Sequence, residues 1–131
     1  MFVTDTHPLV WFSQGKFSLL SPKVLKAFEE AVSGQTVIYI PSVVLWETAM
    51  LNVREKISLD DSFTDWADKL SSKDGFHISD LENNVISLAV GYSFNNDIFD
   101  KAIVATAVSM DLPLITKDVA ISQSGLVEIY W

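Results

Sequence analysis

The hydrophobic positions of this chain switch repeatedly between a strand period and a helix period. Met1 to Thr4 is a short apolar run that reads as a first strand. Helix-like sequence follows from Pro8 to Phe12, broken at Gly15. Ser21-Pro22 opens the next helix, with Ser as cap and Pro in the first turn, and Val24, Leu25 and Phe28 form its apolar stripe up to about Val32. Ser33-Gly34 ends it. Thr36 to Ile40 is rich in β-branched residues and reads as a buried strand. Ser42 can cap a helix from Val43 to about Val53. Phe63, Trp66 and Leu70 place a second amphipathic helix over Ser62 to about Leu70.

The same alternation continues to the last residue. Phe76 to Ile78 reads as a very short strand, and Ser79-x-x-Glu82 fits a capping box for a helix through Gly91. Asn95 or Asn96 can cap a helix over about Asp97 to Met110. Pro113 to Thr116 is a strand, Val119 to Ser122 a short turn or helix, and Val127 to Trp131 the last strand. Strands alternating with helices predict an α/β fold, a mostly parallel sheet covered on both faces, with right-handed crossovers. Ligands on such sheets sit beyond the carboxyl ends of the strands. No internal repeat or low-complexity segment is present. The 131 residues therefore read as one domain, 1–131, long enough to bury a core without a staple.

Composition changes the picture in two ways. Cys is absent, so disulfides and thiolate metal sites are excluded. The N-terminus lacks a basic segment, and no apolar run approaches the roughly 18 to 20 residues of a membrane span. The expectation is a soluble, cytoplasmic protein with no membrane partner. The net charge of −8 and the single Arg, Arg54, argue against a binder that grips nucleic-acid backbone through basic residues. Acids that hold cations facing phosphates would reverse that argument.

Four acids invite that reading. Asp5 follows the first strand, at the carboxyl edge of the sheet, although it can equally cap the helix near Pro8. Glu47 has Val43, Val44, Met50 and Leu51 at three and four residues along its helix. A carboxylate on such a face loses solvation unless it is turned to solvent, paired or bound to a cation. Asp97 and Asp100 share one face near a helix N-terminus, where the helix dipole favours acids, and that explains Asp97 without further function. Asp118 lies two residues past the strand ending at Thr116, where it can also cap the short turn that follows. Carboxylates gathered together raise one another's pKa values, a cost that divalent cations relieve. Oxygen donors without Cys or paired His suit Mg²⁺ or Mn²⁺. Carboxylate-held Mg²⁺ is common in phosphoryl chemistry, where it lowers the pKa of an attacking water and clamps the phosphate.

These residues resemble a known family. Asp5-Thr6-His7 with Leu9-Val10-Trp11 resembles the "DTHALLW" opening of PIN domains, particularly of VapC-like toxins. Ser42 to Glu47 resembles "S-x-x-L-W-E", which carries a second acid. Asp97 to Ala105 resembles "DPFDRLLIAQA", with the third acid at Asp100, and Leu114 to Asp118 resembles "L-V-T-x-D". The matches occur in family order over nearly the whole chain. Ile98 replaces the usual Pro, Lys101 the usual Arg, and Asn95 stands where many relatives have His. The Arg-to-Lys change puts a bidentate contact in doubt.

The resemblance implies a PIN-like three-layer α/β/α fold and a Mg²⁺- or Mn²⁺-dependent endoribonuclease. It implies Asp5, Glu47, Asp100 and Asp118 as catalytic metal ligands, Thr116 as a supporting hydrogen-bond donor and Asp97 as an auxiliary acid. It also implies the toxin of a toxin–antitoxin pair, with RNA as substrate, an antitoxin that covers the site and a homodimeric state. A non-catalytic PIN-fold module for binding RNA or protein is the main alternative, although it would be expected to have lost an acid. A phosphoacceptor receiver domain has similar length and alternation. It would need paired acids after the first strand and a late Lys-Pro, and this chain has neither.

Of the remaining candidates, His7 and His77 lack the spacing of a metal pair. Trp11, Trp46, Trp66 and Trp131 can stack on bases, but scattered tryptophans are usually core or interface. Trp11 and Phe12 are candidates for a dimer or antitoxin surface. Lys16, Lys23, Lys26, Arg54, Lys56, Lys101 and Lys117 are available for RNA, though a solvated surface explains most of them. No G-x-G-x-x-G or Walker A pattern is present.

Overall fold

The computed structural model describes residues 1–131. The chain alternates as expected, through β1 (Phe2–Thr4), α1 (Thr6–Ser13), a 3-10 turn at Phe17–Leu19, α2 (Pro22–Val32), β2 (Ile38–Pro41), α3 (Ser42–Val53) and α4 (Phe63–Ser71). It continues through β3 (Phe76–Ser79), α5 (Asn83–Val90), α6 (Ile98–Met110), β4 (Leu114–Ile115), α7 (Val119–Ser124) and β5 (Ile129–Tyr130). The five strands form one sheet in the order β3-β2-β1-β4-β5. Every pairing is parallel, so the sheet is wholly rather than mostly parallel.

The order decides where a site can form. The chain winds outward from β1 through β2 to β3, then crosses back to the other side of β1 for β4 and β5. The winding reverses between β1 and β4, and a crevice opens beyond their carboxyl ends. Thr4 pairs with Ile115 at that boundary, and the Asp5 amide donates to the Ile115 carbonyl at 3.0 Å. Residues 5 and 116 are thereby brought side by side. The order also removes the receiver alternative, whose β3 lies beside β1; here β2 separates them.

The core follows from the strand and helix periods. Val3, Ile38, Ile40, Leu114 and Ile115 are completely or almost completely buried in the sheet. Val24, Ala27, Phe28 and Ala31 bury one stripe of α2, and Trp66 and Leu70 one stripe of α4. Ala102 through Ala107 are buried without a break. That explains the small, apolar sequence of α6, which packs on β1, β2, α3 and α5. Phe12 is partly buried and stacks on Phe28 at 4.8 Å.

Several boundaries differ from the sequence expectation. α1 starts at Thr6, because Asp5 itself accepts from the Thr6 amide as N-cap. Ser42 is the first residue of α3, not its cap; Pro41 holds the cap position without a side-chain bond. The capping box at Ser79 does not form, since Ser79 is the last residue of β3, paired with Pro41, and Glu82 occupies the cap position of α5. Neither Asn95 nor Asn96 caps α6; Asp97 does, accepting from the Phe99 and Asp100 amides. No helix is long and apolar enough to cross a membrane.

Candidate active site

A cleft of about 420 Å³ opens at the carboxyl ends of β1 and β4. Asp5, Glu47, Asp97, Asp100 and Asp118 line it, together with His7, Pro8, Trp11 and Lys117. All four acids proposed as ligands from the sequence meet there, and so does the auxiliary acid Asp97. Asp5 arrives from the end of β1, Glu47 from the middle of α3, Asp100 from the first turn of α6, and Asp118 from just beyond β4.

Hydrogen bonds fix most of these carboxylates. Asp5, only 7% exposed, accepts from the Thr6 amide at 2.7 Å through Oδ1 and from the Thr116 hydroxyl at 2.6 Å through Oδ2. Thr116 is itself fully buried, and its Oγ1 accepts from the Asp118 amide at 3.0 Å. One hydroxyl therefore ties the first acid to the backbone of the last. Asp118 caps α7, accepting from the Ile121 amide at 2.8 Å. Asn95 donates to Asp100 Oδ2 at 2.8 Å, while its own carbonyl accepts from the Asp97 amide at 3.0 Å. The capping readings of Asp5, Asp97 and Asp118 thus coexist with their place in the cleft. Helix N-termini at the same sheet edge point amide donors, and the positive ends of their dipoles, toward one spot.

The electrostatics are one-sided. The chain's ion pairs are Lys26–Glu30 and Lys69–Asp61, and neither involves a cleft acid. Burial raises the pKa of Asp5, opposed by the bonds from Thr116 and Thr6. Burial also raises Glu47, with further repulsion from Asp5 and Asp97. The Thr6 hydroxyl lies close enough to favour the ionised Glu47, yet it is buried without completing a hydrogen bond. Asp100 is pushed up to about 7, first by burial, then by the charges of Asp97 and Asp5.

This donor set fits a hard divalent cation. The donors are carboxylate oxygens, Cys is absent from the chain, and the carboxyls are pushed up first by burial and then by their acidic neighbours, a cost that a cation would relieve. The acids line the wall without any three closing into a finished ligand cage.

A family model described as the PIN domain matches residues 2–125. The chain belongs to the PIN domain family. Among solved structures, this PIN domain is similar to VapBC2 from Rickettsia felis bound to a DNA fragment from their promoter. The TM-score is 0.68 at 16% identity, covering 98% of this chain and 96% of that chain. It is also similar to a toxin-antitoxin complex from Klebsiella pneumoniae, with TM-score 0.65 and 18% identity over 97% of this chain and 95% of that one. FitAcB from Neisseria gonorrhoeae gives TM-score 0.68 and 15% identity over 100% of this chain and 97% of that one. At such identities the likeness is one of fold. No curated protein matches the chain in sequence.

Four residues of the site were not assigned to it from sequence. Asn95 read as a helix cap, His7 as lacking the spacing of a metal pair, Trp11 as core or interface, and Lys117 as one of several basic residues available for RNA. Asn95 had one usable signal, its place where related PIN domains carry His. Lys117 had another, its position beside Asp118.

Proposed function

We propose that this PIN domain is a divalent-metal-dependent endoribonuclease of the cytoplasm, the toxin half of a toxin–antitoxin pair, acting as a single domain over residues 1–131. One observation carries the reading. Five acids from β1, α3, α6 and the end of β4 line one cleft, with no ion-pair partner among them. Asp5, Glu47, Asp100 and Asp118 would hold Mg²⁺ or Mn²⁺. Bound there, such an ion supplies a water of lowered pKa and positive charge for a phosphodiester.

The chain's own groups prepare that chemistry. Thr116 holds Asp5 in one rotamer and favours its ionised form. Asn95 does the same for Asp100. The α6 and α7 N-termini stabilise negative charge at the mouth. All four ligand acids are present, which weighs against the non-catalytic module.

The exposed surface beside the cleft supports a protein partner. Trp46 and Ile98 are 56% and 66% exposed, although they flank Glu47 and Asp97 in sequence. With Ile86 and Val90 they line an apolar groove. An antitoxin segment that buries apolar side chains there and turns a basic side chain into the acids would silence the site. A homodimer belongs to the same proposal, and light scattering of the purified protein would test it.

The deciding experiment incubates the protein with total cellular RNA in Mg²⁺ or Mn²⁺, and in parallel with chelator. Metal-dependent cleavage to internal fragments supports the endoribonuclease. A folded protein that cuts no RNA in either metal favours the binding module.

A further inference from the structure

The cleft has a second wall of different chemistry. His7 and Trp11, one turn apart on α1, bring their rings to 5.8 Å at an angle of 50°. Trp131, just past β5, meets Trp11 edge-on at 6.4 Å and 72°. Lys117 then lies over Trp131, its ammonium 5.8 Å from the ring centroid. His7, Trp11 and Lys117 all line the cleft that holds the acids. Lys117 is its only Lys or Arg. It is exposed and forms no ion pair, although five carboxylates share the cavity. Its contact is an aromatic face, which holds a cation without neutralising it.

We infer that this wall is the subsite for a nucleotide beside the scissile phosphate of single-stranded RNA, with a base stacked on Trp11 and the neighbouring phosphate on Lys117. The inference rests on the nuclease reading, since the acids must take the reacting phosphate for a flanking nucleotide to reach the wall. The acids repel every other phosphate, so an unneutralised lysine is the group in the cleft that can hold one. An indole takes a base through its π-face with little regard to sequence. The ligand is single-stranded because a paired base offers no free face. Stacking of this kind is worth roughly 10- to 100-fold in affinity.

The test measures binding of two fluorescein-labelled probes in Ca²⁺ buffer, a short oligouridylate and a matched strand of abasic sugar-phosphate units. The wild type is expected to prefer the oligouridylate by about 10-fold. Trp11→Ala should erase that preference and Trp11→Phe should keep part of it. Trp11 also packs against the core, so Trp11→Phe and the lysine variants decide the matter if Trp11→Ala unfolds. Lys117→Ala should weaken both probes alike and flatten the dependence of log affinity on log salt by about 0.7, with Lys117→Arg restoring it. The inference is overturned if wild type and Trp11→Phe bind the two probes equally, or if Lys117→Ala leaves the salt slope unchanged. Cleavage of RNA by wild type and Asp5→Asn is measured alongside. Metal-dependent cleavage with indifferent Trp11 and Lys117 variants removes the subsite alone. Discrimination by the wall without cleavage removes the nuclease and leaves the wall.

Discussion

Asp100 shows most clearly what the cleft costs and what it is for. Its carboxyl, raised from 3.8 to about 7, keeps a proton in the folded chain at pH values where the unfolded chain has lost it. Its contribution to the stability of the metal-free protein is therefore full below about pH 4 and is lost as the pH rises through about 7. Every tenfold change in an acid constant between the unfolded and folded chain corresponds to about 1.4 kcal/mol. Asp100 is only partly buried, so solvent screening reduces the effect to about 1 to 2 kcal/mol. Asp100→Asn should accordingly stabilise the metal-free protein at pH 8 by that amount and change little at pH 4, as thermal melts in chelator would read. A variant no more stable than wild type at pH 8 would mean that burial and the neighbouring acids do not raise Asp100 as described. Thr116→Val should lower metal affinity or activity by about 10- to 100-fold by releasing Asp5, with Thr116→Ser retaining most of it. The cleft acids Asp5, Asp100 and Asp118 were legible in sequence because strand ends and a helix start put them on one edge, and Glu47 because its helix neighbours are apolar; the resemblance chose among the acids. Asn95 was not, because a bond to Asp100 five residues on competes with its reading as a cap, and Trp11 was not, because its place depends on chain segments far apart in sequence. Trp11 meets Trp131 only once α1 and β5 are packed.

At the scale of elements, the helices were readable where one stripe is apolar, as in α2 and α4. They were bounded as closely where sequence is apolar all round, as in α3 and α6, each within one residue. Two of the expected caps failed because the residue is held elsewhere. Ser79 and Asn95 have side chains that can cap, but Ser79 is engaged in the β2–β3 ladder and Asn95 in the bond to Asp100. A cap is assigned by competition, which local pattern does not show. One close approach escaped the sequence altogether. A Cβ on Gly75 would lie 2.3 Å from the Ala31 carbonyl oxygen and 2.4 Å from that of Thr36. Gly75 also donates to Ala31 at 3.1 Å and accepts from Ile38 at 2.8 Å, so it locks the end of α2 to the start of β2. Both clashes are with backbone and cannot be relieved by a rotamer change. Gly75→Ala should cost about 3 kcal/mol or more. Chemical denaturation would measure it, and a loss below about 1 kcal/mol would show that the junction yields.

For the whole molecule, the net charge of −8 is the feature that sits worst with an RNA substrate. Five of the 17 acids line one cleft, so part of that charge is gathered at the proposed cation site and is not spread over the surface. Binding of Mg²⁺ or Mn²⁺ should then stabilise the fold by about 2.7 kcal/mol at 100 times the dissociation constant. The effect should grow between pH 5 and pH 8, as protons leave Asp100 and stop competing with the ion. The alternating βα architecture was evident from the hydrophobic periods. The strand order was not, because the return crossover from β3 past β1 to β4 leaves no local mark. That order creates the crevice in which the acids meet, so the measurement that matters most concerns the cation. Mn²⁺ would be titrated into metal-free wild type and Asp5→Asn, with free ion read by electron paramagnetic resonance and folding checked by circular dichroism. Saturable binding by the wild type, weakened at least 10-fold in a folded Asp5→Asn, is the expected result. A folded wild type that takes up no Mn²⁺, or an Asp5→Asn variant that binds it as well, would contradict a metal site built from these acids.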